Sequence, residues 1–301
     1  MAEDRDKITK SSKVNVGIAG WSYPDWEGIV YPDTRTDKLQ YASRFVDCIE
    51  INSSFYRPPT KQIAQSWLEK VSEKEGFFFT GKLHKSFTHE GRIDKELIRD
   101  FHEGFKPLLE AGRFKTLLMQ FRYDFKFTKT NRGHVRSLVD NFSDSFNIAV
   151  ELRDNSWQGG DALEFLGGLG VSICSLDYPV TWNSFNLDCP DIGRSGYMRL
   201  HGRNSDKWFS RAGRDETYDY YYGDNELSEI KQRIDKLAGN FRDVTVIANN
   251  HYRGSELANA IQLKYLLTGK KQKFPQGLLQ LHPGLKKISS NKNLQFDLWQ
   301  Q

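Results

Sequence analysis

The stretch NIAVELR, residues 147–153, alternates polar and apolar side chains over the length of one β-strand. It is one of eight short runs rich in β-branched and aromatic residues, and segments of helical periodicity separate nearly all of them. The other runs are VNVGIAG (14–20), CIEINSSFY (48–56), FFFTGKL (77–83), TLLMQF (116–121), VSICSLD (171–177), GYMRLHG (196–202) and VTVIANN (244–250). Strands that alternate with helices form parallel sheets. The sequence therefore predicts an α/β fold, a (β/α)8 TIM barrel.

The length of the chain fits a single barrel domain. A chain of 301 residues accommodates one barrel with elaborated loops. We predict a flexible segment at residues 1–13, the barrel at 14–268 and a basic extension at 269–301. The connections at 22–36, 178–194 and 203–225 are longer than plain links and contain many aromatic residues. We expect them to cover the C-terminal face of the barrel.

The composition excludes several classes of protein. The net charge is only +4, so bulk charge does not by itself indicate nucleic-acid binding. The three cysteines have no CxxC spacing, which favours reduced thiols. No apolar run approaches the ~20 residues of a membrane span, and the N-terminus lacks the apolar core of a signal peptide. These features predict a cytoplasmic protein that does not associate with membranes.

The strand ends are more polar than a purely apolar barrel core would require. Glu50 and Asn52 share one strand face, and Glu151 and Arg153 share another. A parallel strand that is apolar on both faces would be a continuous hydrophobic run, so we expect the polar set to point into the barrel. The predicted lower layer is Glu50, Lys82, Gln120, Glu151 and Arg199. The predicted upper layer is Asn52, His84, Arg122, Arg153, Asp177, His201 and Asn249 or Asn250.

Two interpretations of these layers stay open. The carboxylates and cations of the lower layer could neutralise one another as a structural network. In the upper layer, cations and imidazoles outnumber acids, and fork-shaped guanidinium groups suit a phosphate or carboxylate. Aromatic residues of the loops, mixed with Arg and Lys, either pack on their own scaffold or form platforms on which bases or sugars stack. We expect an anionic ligand at the mouth.

The candidate catalytic residues are Glu50, His84, Glu151, Asp177 and His201. One hypothesis uses Glu151 or Asp177 as general base and His84 or His201 as general acid. A zinc or manganese site is the alternative. Its candidate ligands are Glu50, His84, His89, Glu151, Asp177, His201 and His251. No HxH or HExxH spacing is present, so a divalent metal is not favoured and the cofactor is left open.

A series of motifs in order resembles the YecE-like family, filed as domain of unknown function number 72. The motifs are GWSYPDW at Gly20, IEINSSFYRPP at Ile49, FTGKLHKSFTH at Phe79, LLMQFRYDF at Leu117, VELRDNSW at Val150, YMRLHGR at Tyr197 and NNHYRGSELANA at Asn249. The resemblance implies a barrel distantly similar to the endonuclease-IV and xylose-isomerase type, without an established reaction. The motif positions that it adds to the candidate site are Trp21, Tyr23, Tyr56, Arg57, His89, Trp157, Arg203 and Asn250.

The C-terminus carries a short peptide of its own. Residues 295–299, QFDLW, resemble the peptide by which DNA-repair and replication proteins bind the bacterial sliding clamp. In such a peptide Gln295 would bond at a pocket rim while Leu298 and Trp299 fill an apolar slot. The alternative is that Trp299 packs back onto its own barrel.

Three functions are compatible with these features. The first is binding of nucleic acid or of a phosphodiester, with a hydrolase role in DNA metabolism. The second is a metabolic enzyme acting on a phosphorylated or carboxylated small molecule such as a sugar phosphate. The third is a non-catalytic binding module. An open mouth would favour a duplex, and a mouth narrowed by the aromatic loops would favour a small ligand.

Overall fold

A computed structural model describes residues 12–186, 192–208, 210 and 213–290. It confirms the predicted barrel: eight parallel strands close in chain order, and β8 pairs with β1. The strands are β1 Lys13–Ile18, β2 Cys48–Ile51, β3 Phe78–Lys82, β4 Phe114–Gln120, β5 Ile148–Glu151, β6 Ser172–Asp177, β7 Gly196–Leu200 and β8 Asp243–Ala248. Each predicted run overlaps one of them, and β1, β4 and β8 begin one or two residues before their runs.

Helices surround this barrel. They are α1 Lys38–Ser43, α2 Lys61–Lys70, α3 Lys85–Thr88, α4 Lys95–Glu110, α5 Lys129–Phe142, α6 Gly160–Gly168, α7 Ser205–Trp208, α8 Arg214–Thr217, α9 Asp224–Asn240, α10 Ser255–Thr268 and α11 Leu278–Leu281. Short 3-10 turns lie at Pro24–Trp26, Ser53–Phe55, Asn155–Gln158, Tyr252–Gly254 and Pro283–Ile288. In the described part of the chain, the connection from β6 to β7 contains no helix. The long excursion expected there takes its place.

The alternation along the strands separates two environments. Apolar residues such as Ile49, Val150 and Met198 face outward into the core beneath the helices. The opposite face contributes Glu50, Glu151 and Arg199, all of which are fully buried. Because successive side chains of a strand point to opposite faces, one short strand supplies both the helix-facing core and the polar interior.

Side-chain caps fix the starts of several outer helices. Asp37, Thr60, Asp94 and Thr128 each accept a hydrogen bond from a backbone N–H in the first turn of α1, α2, α4 and α5, respectively. Such caps satisfy donors that the helix itself cannot pair, and each stabilises its helix by about 1 kcal/mol. Helix α6 lacks a side-chain cap, and its glycines weaken the helical pattern in the sequence.

One glycine turns the chain back over the mouth after β7. Gly202 has φ of 89°, a conformation that residues with a Cβ rarely adopt. A Cβ at this position would lie 2.6 Å from the Cβ of Tyr220. The backbone N–H of Gly202 donates a hydrogen bond to Tyr222 Oη at 2.8 Å. Beyond this turn, Trp208 and Tyr218 line a cavity together with Arg153, which follows β5.

The described part of the C-terminal extension packs against the barrel. Phe274, Leu278 and Leu285 are buried in the outer core, and Gln272 pairs with Ser289 in an isolated bridge. The predicted docking residues Gln295, Leu298 and Trp299 lie outside the described residues. Within the described ranges, no helix is long and apolar enough to span a bilayer.

Candidate functional site

Arg199 joins two carboxylates inside the barrel. Its Nη2 lies 2.8 Å from Glu50 Oε1 and its Nη1 lies 2.5 Å from Glu151 Oε2. Tyr197 Oη donates to the other oxygen of Glu50 at 2.9 Å and lies 2.9 Å from Thr80 Oγ1. Burial opposes the charge of Arg199, but the two carboxylates outweigh it and hold the pKa of the guanidinium well above its usual range. Arg199 is therefore a charged, desolvated bridge between two buried carboxyl groups.

Glu151 is the most heavily bonded member of this cluster. Its Oε1 accepts from Gln120 Nε2 at 2.6 Å and from Arg153 at 3.0 Å (Nε) and 2.7 Å (Nη2). Burial would favour the neutral acid, but the charges of Arg199 and Arg153 keep the pKa of Glu151 well below its usual range. Glu151 stays a carboxylate, and its main effect is to aim Arg153 at the space above.

His201 completes the floor as a neutral imidazole. Burial, assisted by the charge of Arg199, lowers the pKa of His201 to about 3 despite the attraction of Glu151. Its Nδ1 lies 2.9 Å from Asn249 Nδ2, and its Nε2 lies 3.4 Å from Glu151 Oε1. Its Nε2 also lies 3.4 Å from Arg199 Nη1, so that a donor and an acceptor both flank this ring nitrogen. His201 is fully buried and lines neither of the cavities described next.

A cavity of about 370 Å³ lies above this floor. Its wall contains the cations Lys82, Arg122 and Arg153. The other lining residues are neutral side chains and two imidazoles: Tyr23, Asn52, Phe55, Tyr56, His89, Gln120, Phe121, Tyr123, Tyr218, Asn249 and His251. Among the described residues, no aspartate or glutamate lines this cavity. We call it the cationic cavity.

A second cavity, of about 590 Å³, adjoins the first. The two share Tyr123, Arg153 and Tyr218. Its remaining lining residues are Tyr178, Thr181, Trp182, Asn183, Ser184, Trp208, Ser210 and Thr217. Arg153 is the charged side chain among the described lining residues, and its guanidinium carbon lies 5.3 Å from the centroid of the Trp208 ring. We call this the aromatic cavity.

The pKa of Lys82, in the wall of the cationic cavity, is shifted toward neutral pH. Burial and the charge of Arg199 lower the pKa of Lys82 to about 8, against the attraction of Glu50 and Glu151. The ammonium lies 5.9 Å from the centroid of the Phe55 ring. In the described part of the chain it has no hydrogen bond or ion pair. Lys82 thus presents an uncompensated charge to the cavity.

His89 faces the same cavity in the neutral form. Burial and the charges of Arg153 and Arg122 lower the pKa of His89 to about 4. Its Nδ1 lies 2.9 Å from Thr88 Oγ1, and its ring packs edge-on against Phe55 at 4.9 Å. At neutral pH His89 can donate or accept a hydrogen bond without adding charge.

Asp177 lies outside this site. Its carboxylate accepts from Arg203 at 2.9 Å to both oxygens, from Arg233 of α9 at 2.7 Å and from Tyr222 Oη at 2.9 Å. Neither Asp177 nor Arg203 lines either cavity. The cluster joins the end of β6 to α9 and to the 203–222 segment. The expected position of Asp177 at the mouth is therefore wrong, because the side chain faces the helices.

Comparisons with known proteins agree with this architecture. The family model described as "Protein of unknown function DUF72" matches residues 15–283. The chain belongs to the DUF72 family. A DUF72 relative, the UPF0759 protein YunF of Bacillus subtilis, is 26% identical over 278 residues, which are 84% of this chain and 94% of that protein. The UPF0759 protein YecE of Escherichia coli is 24% identical over 142 residues, 46% of this chain and 48% of that protein.

Solved DUF72 structures are similar over most of the chain. The protein TM1631 of Thermotoga maritima superposes with a TM-score of 0.75 and 31% identity, covering 84% of this chain and 98% of its own. The protein EF0366 of Enterococcus faecalis superposes with a TM-score of 0.74 and 24% identity, covering 85% and 95%. Both are described as DUF72 family proteins, so the comparisons establish fold and family and leave the ligand open.

Several DUF72 motif positions that we expected at the mouth belong to the scaffold. Trp21 packs edge-on against Trp67 at 5.5 Å, and Trp157 is fully buried and stacks on Phe125 at 5.6 Å. Arg57 is exposed and lines neither cavity. Packing seals Trp157 away from any ligand, whereas the predicted ligand-binding roles of Trp21 and Arg57 stay predictions.

Two further motif residues hold loops in place. His84 Nδ1 accepts from the N–H of Ser86, and its Nε2 lies 2.8 Å from the carbonyl oxygen of Tyr56. Asn250 Nδ2 donates at 2.8 Å to the carbonyl of Tyr220 and to Asn259 Oδ1. Because these bonds occupy both ring nitrogens of His84, it is not placed to act as the general acid.

Two loop anchors do reach the cationic cavity. Tyr23 lines it, stacks on His251 at 4.6 Å and donates a short hydrogen bond to the carbonyl of Ala19. Asn52 Nδ2 donates to the same carbonyl at 2.8 Å, while its Oδ1 is buried without a hydrogen-bond partner in the described structure. Asn52 Oδ1 is therefore available as an acceptor at the cavity wall.

The metal candidates do not converge. Among the described residues, no group of three or more His, Cys, Asp or Glu side chains is arranged to hold a metal ion. Glu50 and Glu151 are bonded to cations, and His84 is bonded to backbone atoms. The described side chains that line the cationic cavity include three cations and no carboxylate.

Sequence analysis left several lining residues out of the candidate site. Tyr123, Tyr178 and Trp182 lie in loops, and Phe55 lies in a 3-10 turn beyond β2. Period-two alternation does not extend into such segments, so it gave no signal for them. The density of aromatic residues in the loops indicated a covered mouth but not which rings line it.

Proposed function

We propose that this DUF72 protein binds a small molecule bearing a phosphate or carboxylate group in the cationic cavity. The observation that carries the proposal is the charge of the wall. Lys82, Arg122 and Arg153 line the cavity, and none of the described lining residues of either cavity is an aspartate or glutamate. A concave site with fixed positive charge and fork-shaped donors suits an oxyanion.

The buried carboxylates do not cancel this charge. Glu50 and Glu151 both lie against Arg199, and Glu151 also binds Arg153. With Lys82, the cluster and cavity floor hold two carboxylates and three cations. An anion next to Lys82 would neutralise the surplus charge in a partly desolvated place, where charge pairing is stronger than in water.

The size of the site favours a small ligand over a duplex. The adjoining cavities of about 370 and 590 Å³ lie in the range of small-molecule sites. A single strand of nucleic acid is a second candidate, since Tyr123 is 66% exposed beside Arg122 and Trp182 is 91% exposed in the aromatic cavity. Exposed rings serve as stacking platforms. The small-molecule function ranks first because both cavities are compact.

Lys82 is also the residue best placed for proton transfer. A pKa of about 8 leaves a measurable fraction of neutral amine at physiological pH. Glu151 and His201 are sealed beneath the cavity, the first as a carboxylate and the second as a neutral ring. If the protein is an enzyme, we assign proton exchange with the ligand to Lys82 and orientation of the anion to Arg153.

The test is binding of defined anions at low salt, where such contacts are strongest. Sulfate, phosphate and ribose 5-phosphate should raise the melting temperature and give measurable heats in calorimetric titration. The variant Lys82→Met should raise the dissociation constant of each anion about tenfold or more, because a desolvated charge contact contributes over about 1 kcal/mol to binding. The matched control Lys106→Met removes an exposed lysine of α4 and should bind like wild type.

Absence of binding by all three anions would overturn the proposal. Titration of a short single strand and a short duplex separates the second candidate. A strand that binds much more tightly than any small anion, with a steep dependence on salt, would rank nucleic acid first. The sliding-clamp interaction of Gln295, Leu298 and Trp299 stays a prediction, as does a cytoplasmic location.

A further inference from the structure

The aromatic cavity contains more exposed ring surface than an anion site needs. Tyr178 and Trp208 lie 6.0 Å apart, and Trp208 and Tyr218 lie 5.7 Å apart edge to face. These three rings form a continuous wall with Arg153 over Trp208. Tyr123 and Trp182 line the same cavity. The wall therefore offers flat apolar surface next to one guanidinium group.

Trp182 is the most solvent-exposed of these rings. Its side chain is 91% exposed, and in the described part of the chain it makes no ring contact with the wall. Its segment is nevertheless held in place, because Asn155 donates a side-chain hydrogen bond to the carbonyl of Trp182 and its N–H bonds the carbonyl of Asn183. An indole presented to water at an anchored position is a surface that a second flat group can cover.

The neighbouring polar groups are neutral. Thr181, Asn183, Ser184, Ser210 and Thr217 line the aromatic cavity. None of its described lining residues is a carboxylate, the strong acceptor that binds sugar hydroxyls in pairs. Rings with few hydroxyl groups and with amide or ring-nitrogen edges match this lining better than a free sugar.

The two cavities are continuous through shared residues. Arg153, Tyr123 and Tyr218 line both. A ligand whose anion contacts Arg153 therefore lies next to both the cationic cavity and the aromatic wall. The cationic cavity supplies charge and the aromatic cavity supplies stacking surface, which together match two parts of one molecule.

We propose that the ligand is a nucleoside monophosphate or a molecule of that chemical class, with its phosphate in the cationic cavity and its base on the aromatic wall and Trp182. This inference rests on the proposed anion-binding function and extends it to the substrate class. The base stacks against indole and phenol rings, and the neutral side chains bond its polar edge.

The test compares four kinds of probe by calorimetric titration and tryptophan fluorescence. The probes are inorganic phosphate, ribose 5-phosphate, adenosine, and the adenosine, guanosine, uridine and cytidine monophosphates. At least one monophosphate should bind about tenfold or more tightly than phosphate, ribose 5-phosphate or adenosine. Inorganic phosphate alone reports the proposed function, and the ratio of monophosphate to phosphate affinity reports this inference.

Variants of Trp182 test the stacking directly. Trp182→Ala should reduce the monophosphate affinity to about that of phosphate and leave phosphate binding unchanged. Trp182→Phe retains a ring and should keep most of the difference. The control Val180→Ala alters an exposed apolar residue of the same loop that lines neither cavity, and it should bind like wild type.

Three outcomes would overturn the inference while leaving the anion site standing. The first is a monophosphate that binds no tighter than phosphate. The second is that ribose 5-phosphate binds as tightly as the best monophosphate and that Trp182→Ala does not change its affinity. That result would indicate a sugar phosphate as the ligand. The third is a loss of phosphate and monophosphate affinity by the same factor in Trp182→Ala, which would show a disturbed loop rather than a lost stacking contact.

Discussion

Two charged regions of this barrel lie in contact and differ in how their charges are matched. In the floor, Glu50, Glu151 and Arg199 are fully buried and each is bonded to a partner of opposite charge. In the cationic cavity above, Lys82 has no such partner among the described residues, and no described carboxylate lines the wall. The charges of the floor are matched by one another, whereas the charge of Lys82 has no partner within hydrogen-bond distance in the described structure.

This difference separates structural from functional charge. A buried ion pair costs desolvation energy that its mutual attraction only roughly repays, but removal of one partner leaves a buried charge unpaired and is strongly destabilising. The opposite result is expected for an unpaired cation at a cavity wall. Removal of such a cation should change the stability little and should weaken ligand binding. The following four predictions test the comparison, beginning with the largest expected effect.

Glu151→Gln should lower the free energy of unfolding by about 3–5 kcal/mol, because Arg199 and Arg153 lose a buried counter-charge. Urea denaturation measures the change. The control Glu103→Gln breaks an exposed pair with Lys61, and its unfolding free energy should stay close to that of wild type because solvent screens the pair. If Glu151→Gln is as stable as wild type but no longer binds sulfate, the charges of the floor serve ligand binding rather than stability.

Asp177→Asn should lower the free energy of unfolding by about 2–4 kcal/mol, because Arg203 and Arg233 both lose their carboxylate. Since Asp177 lines neither cavity, the dissociation constant for sulfate should change by less than about twofold. Denaturation and calorimetry on the same preparation measure both. If Asp177→Asn is as stable as wild type but does not bind sulfate, Asp177 contributes to the ligand-binding site.

Sulfate affinity should fall as the pH rises through about 8. The lowered pKa of Lys82, about 8, means that its ammonium is present below that pH and is lost above it. Because sulfate keeps its charge over this range, the dissociation constant should rise about tenfold from pH 7 to pH 9. Lys82→Met should be weak and flat over the same range, and a flat wild-type profile would exclude Lys82 as the titrating contact.

Arg122→Gln should have the smallest effect. Arg122 lines the cationic cavity, but it is half exposed and already paired with Asp124 at 3.0 and 3.2 Å. Solvent and this partner screen its charge, so sulfate affinity should fall by less than about threefold at low salt. A loss as large as that of Lys82→Met would show that Asp124 releases Arg122 when the ligand binds.

The polar interior could be predicted in part from the sequence. Period-two alternation correctly grouped Glu50, Glu151 and Arg199 on the inward face, because the pleat of a strand leaves a side chain only two directions. The same rule could have located Asp177, which shares its face with the outward Ile173. Its polarity suggested the mouth, whereas its position in β6 indicated the helix side.

What the sequence alone determined is the order of strands, the class of fold and the inward set of charged residues. These follow from local periodicity, which backbone geometry imposes on any chain. The tertiary structure decided which charges are matched and which rings line the cavities. Trp157 and Trp182 are both loop tryptophans, yet one is sealed in the core and the other is 91% exposed beside Arg153. The burial of Trp157 depends on contacts between residues distant in the chain, such as its indole N–H with the carbonyl of Phe125, and local periodicity contains no information about them.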